Sequence, residues 1–274
     1  MLKQRVLTAI ILAPLVIWLI LAGSTPLVAA VLALVILLAA REWAMLAGLQ
    51  TIMQSVFVGL TVVLLALGWI YREMLAEPQI LQLVSVYWVL LTLMLLLRRK
   101  PIKMLETKSI PALITGLALL PMAWVSIVTL HEFEQNGPQL VLAVLLLIWL
   151  ADSGAYFSGR AFGKHKLAPM VSPGKTWEGV FGALLGAALF AWLLQQHSVF
   201  ADQRYILLLL LCVAVTLVSI GGDLYESLIK RQRGVKDSSN LLPGHGGILD
   251  RIDSLIAAAP VFLLGVQLLR DSVR

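Results

Sequence analysis

Four carboxylates near the end of the chain are spaced for joint work. Asp223 and Glu226 stand three residues apart, as do Asp250 and Asp253, so each pair projects from one face of a helix. These four and Asp152 lie at the ends of long apolar runs, where a charge must be paired, hydrated or bound to a cation. Two acidic faces brought together repel unless a divalent cation lies between them. With oxygen donors and no clustered His or Cys, Mg²⁺ fits best. Capping of a helix N-terminus is the plain alternative for Asp250 or Asp253. It does not serve for Asp223, which comes after VSIGG deep in an apolar run and near no helix start. Gly221 and Gly222 before it remove side-chain bulk and let another backbone or a ligand come close.

Beside these acids runs a cationic stretch, Lys230, Arg231, Arg233 and Lys236, with Asp237 and the turn PGHGG after it. Anionic lipid headgroups explain Arg233 taken alone. The combination points further. Carboxylates for Mg²⁺, cations for phosphate oxygens, and glycines such as Gly246 and Gly247 offering backbone N–H groups are the parts of a phosphoryl or nucleotidyl transfer site. His245, between Gly244 and Gly246 and close to Asp250, belongs with this group as a phosphate contact or a shaper of the turn. Nothing makes it a metal ligand.

A second polar segment reads ADSGAYFSGRAFGKHKLAPMVSPGKTWEG, Ala151 to Gly179. Its GKT invites a P-loop reading, which fails: Pro169 stands where the motif needs its first Gly, and an apolar helix precedes it in place of a strand. Gly174, Lys175 and Thr176 still lead directly into a helix, where N–H groups, a hydroxyl and an ammonium together cradle a phosphate. Capping of that helix by Ser172 or Thr176 is the simpler role for either residue. His131, His165 and His197 read as solvated surface. Cys212, inside LLLLLCVAV and without a partner, reads as packing.

The elements that position these residues can be read from composition. Of 274 residues 60% are hydrophobic and 13% charged, and the mean hydropathy is +0.92, far more apolar than a soluble domain. A helix needs about 20 apolar residues to cross a bilayer. By that measure about nine spans are predicted: 6–23, 26–47, 52–71, 80–97, 110–130, 138–157, 178–196, 204–229 and 251–270. The chain is thus expected to be all-α, one polytopic membrane domain over 1–274. Helices within 1–130 carry little motif content, and 138–274 holds the catalytic helices and loops.

Basic residues check the count, because Lys and Arg gather in cytoplasmic loops. Of the 21, only Arg72, Arg204, Arg270 and Arg274 fall in one set of alternate loops, and the rest fall in the other. This predicts a cytoplasmic N-terminus and makes 158–177 and 230–250 the two prominent cytoplasmic loops. Glu73, Glu77, Glu132, Glu134, Asp202 and Asp271 lie on the opposite side, where solvation accounts for them. The start of the chain, with Lys3 and Arg5 before an apolar run, imitates a secretory signal. It reads as the first span, since the rest of the chain is equally apolar. The net charge of +6 is topological on this view, and nucleic acid is not an expected partner.

With these residues in place, the chain resembles the phosphatidate cytidylyltransferases, or CDP-diacylglycerol synthases. The family signature runs Ser, two residues, Lys-Arg, four residues, Lys-Asp, a small residue, Pro, His-Gly-Gly and Asp-Arg-x-Asp. Here it is SLIKRQRGVKDSSNLLPGHGGILDRID, Ser227 to Asp253, with no departure. The segments DSGAYFSGRAFGKHKL and SPGKTWEG are also similar to family segments, although Ser153 stands where many members carry Thr. The first four spans match only in apolar character, so the likeness rests on the C-terminal half.

The resemblance implies that CTP and phosphatidic acid give CDP-diacylglycerol and pyrophosphate at the cytoplasmic face of an inner membrane. It also implies a homodimer and Mg²⁺ held by Asp223 and Asp250, with K⁺ as a candidate second ion. On the residues' own chemistry, Lys230, Arg231, Lys236 and Arg251 neutralise phosphates. Asp237 and Asp253 orient those cations, and Ser172, Lys175 and Thr176 hold phosphate of nucleotide or lipid. Two other readings stay open: a CTP-dependent kinase of polyprenol lipids, and an ion-coupled transporter with intramembrane carboxylates.

Overall fold

The computed structural model describes residues 2–98, 102–105, 107–134, 136–196, 200, 203–241 and 246–271. Ten helices and one small hairpin are seen among them: α1 Leu2–Ala22, α2 Thr25–Leu46, α3 Thr51–Ile70, α4 Arg72–Leu75, α5 Pro78–Leu96, α6 Ile110–Glu132, α7 Gly137–Phe162, β1 Lys166–Ala168, β2 Ser172–Thr176, α8 Trp177–Gln195, α9 Tyr205–Gln232 and α10 Leu249–Asp271. Eight of these helices are long and apolar enough to cross a membrane. In α1 the corresponding apolar stretch is Leu12–Ala22. The chain is an all-α, multi-pass membrane protein.

The helix boundaries have local causes. Pro78 opens α5 at a position where its missing N–H costs nothing, and Ser109 caps α6 through the N–H of Ala112 at 3.4 Å. Two elements outrun the apolar pattern. α7 continues to Phe162 and α9 to Gln232, because a helix leaving the apolar layer keeps its backbone bonds while its side chains turn polar. Arg160, Lys230 and Arg231 are therefore helical, not loop residues. The loop expected over 158–177 contains the antiparallel hairpin, with Lys166 opposite Thr176 and Ala168 opposite Ser172.

Helices α6 and α10 form the buried centre. Exposed apolar side chains such as Leu83, Leu90, Phe181 and Leu185 face outward from α5 and α8, as lipid-facing surface must. Close helix contacts are made by small residues. A Cβ on Gly182 of α8 would collide with Ser158 Oγ and the Gly154 carbonyl of α7. Gly182→Val should accordingly force these helices apart, at a cost of at least about 1–3 kcal/mol. The check is a lowered melting temperature of the detergent-solubilised protein; an unchanged one would contradict this packing.

The two ends of the bundle sort as the charges predict. At one end Arg72 forms a two-pronged pair with Glu132, with N···O distances of 2.7 and 2.8 Å, and Arg270 lies over the Phe133 ring. At the other, the C-terminal ends of α2 and α9 meet the chain before α6. Arg233 Nε donates to the Leu46 carbonyl, Nη1 to Leu105, and Nη2 to both Ala47 and Thr107, at 2.7 to 2.9 Å. This corrects the headgroup reading of Arg233: its guanidinium is spent on four carbonyls, two at the end of α2 and two in the chain before α6. Gly48, at φ +87°, is needed beneath it, because a Cβ there would strike the guanidinium.

His131 is a second correction. It is buried, with Nδ1 2.9 Å from Thr25 Oγ1 and Nε2 2.9 Å from the Ile20 carbonyl oxygen. The junction of α1 and α2 packs over the end of α6 and removes it from solvent. His165 is exposed yet pairs with Glu178 at 2.7 Å, and His197 lies outside the described residues. Cys212 is buried and free, as a packing residue should be.

Candidate active site

Helices α9 and α10 touch at Gly222. A Cβ at this residue would sit 2.5 Å from the Asp253 carbonyl oxygen and 2.9 Å from the Ala257 methyl, so glycine is required for a backbone-to-backbone approach. Gly221 makes room instead for the Thr92 side chain of α5. Of the two uses open to this glycine pair, close approach of another backbone is seen at Gly222. It sets Asp223 beside the first turns of α10.

Around that contact lies a polar cavity of about 360 Å³, open at the basic end of the bundle. Asp152 of α7, Asp223, Ser227, Lys230 and Arg231 of α9, Lys236 and Asp237 of the adjoining loop, and Asp250, Arg251, Asp253 and Ser254 of α10 line it. Three helices, α7 and the consecutive pair α9 and α10, thus deliver carboxylates to one space. Asp223 Oδ2 pairs with Lys175 Nζ at 2.7 Å, and its Oδ1 accepts a hydrogen bond from Ser227 Oγ at 3.2 Å. Lys175 reaches this position from β2, so the hairpin carries a cation to the cavity edge. Asp152 stands within electrostatic reach of Lys175, Asp223 and Arg251.

Lys230 is buried between two acids, with Nζ 2.5 Å from Glu226 Oε2 and 2.6 Å from Asp250 Oδ1. Its charge is balanced inside the protein, whereas Lys236 and Arg251 are exposed at the rim. Glu226 Oε1 is buried with no hydrogen-bond partner among the described residues. Asp250 Oδ2 accepts from the Ser238 N–H, the Ser238 hydroxyl and the Gly247 N–H, at 2.8 to 2.9 Å. Lys230, Ser238 and Gly247 together hold an anion at the N-terminus of α10, where the helix dipole also favours it.

The remaining expected residues divide between the site and its supports. Thr176 is buried and caps α8, accepting from the Gly179 N–H at 3.2 Å. Ser172 lies on β2, and among the described residues neither it nor Thr176 lines the cavity. Gly246, at φ +84°, has no room for a Cβ, which would come within 2.6 Å of Asp250 Oδ2. The Gly247 amide, expected to face phosphate, serves Asp250 instead. His245 lies outside the described residues.

One carboxylate has no counterpart among the residues that spacing singles out. Glu42 of α2 is buried, and it takes the first amides of α10 that Asp250 was expected to cap: Ile248 N–H at 3.1 Å and Leu249 N–H at 2.7 Å. The available signal was a single acid in REW, at the end of the second apolar run on the side where basic residues gather.

Carboxylates and cations interleaved around a cavity at the ends of membrane-length helices define a multi-pass membrane protein built to handle an anionic, phosphate-bearing ligand. Residues 3–269 match the cytidylyltransferase family profile. The chain belongs to the cytidylyltransferase family and is a nucleotidyltransferase. It is 45% identical over 267 residues to the phosphatidate cytidylyltransferase of Pseudomonas aeruginosa, covering 96% of each chain. Over 280 residues it is 40% identical to that of Haemophilus influenzae, covering 96% of this chain and 97% of the relative. The Staphylococcus haemolyticus enzyme of the same name is 33% identical over 272 residues, covering 98% and 99%. Because these likenesses run the length of the chain, they include the first four helices, where the sequence motifs are silent. Ion-coupled transport gives way to an enzyme.

Proposed function

We propose that this enzyme transfers the cytidylyl group of CTP to phosphatidic acid, releasing pyrophosphate and forming CDP-diacylglycerol. The observation that carries the reading is the meeting of Asp223 and Asp250, from separate helices, in the wall of one cavity that also bears Lys230, Arg231, Lys236 and Arg251. A phosphate oxygen of the lipid attacks the α-phosphorus of CTP. The bond to pyrophosphate breaks in line, so no protein nucleophile is needed. Arg231, Lys236 and Arg251 neutralise nucleotide and lipid phosphates at the rim, and Lys175 stands ready at the hairpin edge. Asp237 and Asp253 orient these cations, and Lys230 keeps Asp250 in position.

The donor set suits a hard dication. Among the described residues no three acid, His or Cys side chains converge on one ion site. Mg²⁺ does not need three, since it keeps several waters and takes one or two carboxylates. Asp223 and Asp250 would hold it, and the ion would supply charge stabilisation to the phosphates. A second, monovalent ion, a homodimer, a cytoplasmic N-terminus and a cavity facing the cytoplasm at an inner membrane belong to the same reading. The basic residues gathered at the cavity end support the orientation.

Labelled CTP separates this reaction from a lipid kinase. Given phosphatidic acid and Mg²⁺ in detergent, α-labelled CTP should place its label on the lipid and γ-labelled CTP should not. Label from the γ-phosphate on lipid would overturn the proposal.

A further inference from the structure

The structure assigns Glu42 a positioning role: from α2, outside the motif-bearing half of the chain, it ties residues 238–239 to residues 248–249 so that Asp250 is presented to the cavity. The inference rests on Asp250 belonging to the site proposed above. Glu42 Oε2 accepts from Ser238 Oγ at 2.9 Å and Leu249 N–H at 2.7 Å, while Oε1 accepts from Ser239 Oγ at 2.6 Å and Ile248 N–H at 3.1 Å. Two of these donors are at residues 238 and 239 and two at residues 248 and 249. One carboxylate therefore fastens these two stretches together.

The geometry links this clamp directly to Asp250. Ser238 Oγ is 2.9 Å from Glu42 Oε2 and 2.9 Å from Asp250 Oδ2. A hydroxyl has one hydrogen, so the two acids share it. Gly247 lies where a Cβ would collide with both Ser238 Oγ and the Glu42 carboxylate, while its own N–H donates to Asp250. Glu42 itself is only 5% exposed and is not among the residues that line the cavity. It acts through Ser238 and its neighbours and not on substrate. A carboxylate buried this deeply is retained at a desolvation cost, and four donors converging on it repay that cost only if residues 238–239 and 248–249 are held in this one arrangement.

Glu42→Gln keeps the shape but turns one acceptor oxygen into a donor, so one side of the clamp opens. The readouts are the dissociation constant for Mn²⁺, monitored by EPR of the detergent-purified protein without substrate, and the split of kcat from KM for CTP. Loss of an outer-shell partner costs about 10–100-fold in metal affinity or activity. Glu42→Gln should accordingly weaken Mn²⁺ binding by that factor and lower kcat, at temperatures well below its melting point. Ser239→Ala, which removes one of the four donors to Glu42, should shift both in the same direction by less, and it serves if Glu42→Gln does not fold. Asp250→Asn is measured alongside. If it weakens Mn²⁺ binding while the clamp variants bind Mn²⁺ as wild type does, the positioning role is refuted. If Asp250→Asn itself leaves binding unchanged, Asp250 is not in the metal site and the inference falls with that reading.

Discussion

Asp223→Asn is expected to abolish turnover while leaving the protein folded. The loss should exceed the roughly 10–100-fold that removal of an outer-shell partner costs, because the carboxylate itself would contact the ion. The substitution is nearly isosteric. Gly222 and Gly221 keep their helix contacts, and the Asn carbonyl still accepts from Ser227 Oγ, which lies 3.2 Å from Asp223 Oδ1. Only the charge that faces Lys175 at 2.7 Å is removed. Activity is measured as lipid product formed from CTP, with a melting curve as the control for folding. Activity near that of wild type would remove Asp223 from the site.

Lys230→Met should act first on stability. Lys230 lies between Glu226 and Asp250, at 2.5 and 2.6 Å, and its removal leaves two carboxylates without their cation. Breaking a buried ion pair from one side costs about 3–5 kcal/mol. Asp250 keeps the Ser238 and Gly247 donors, whereas Glu226 has no other partner among the described residues. Adding Glu226→Gln to Lys230→Met should therefore recover part of the lost melting temperature without restoring activity. A Lys230→Met protein that melts like wild type would contradict the internal pairing described here.

Much of this arrangement was legible in the sequence because it depends on local pattern. Apolar length located the spans, and the spacing of the acids singled out Asp223, Asp250 and Asp253, which their helices bring to one cavity, and Glu226, which is buried against Lys230 and does not line it. Long-range partners left no such pattern. Glu42 meets Leu249 across 207 positions, and Arg233 meets Leu46 across 187. Each residue taken alone looks like an ordinary charge at the end of a span. Lys230 shows the same limit at short range: spacing gave it a place beside the acids, but only the fold shows that two of them consume its charge. The hairpin was hidden for another reason. Its strands are three and five residues long, too short for an alternating pattern to stand out among Gly, Pro and Lys.

The central claim is a hard cation held by carboxylates from α9 and α10. Crystals of the protein grown with Mn²⁺ and a CTP analogue that cannot be cleaved test this directly through the anomalous scattering of manganese. The expected result is a peak in the cavity, ligated by Asp223 and Asp250 and absent from Asp223→Asn. A peak bound elsewhere, with both aspartates still paired to their lysines, would contradict it.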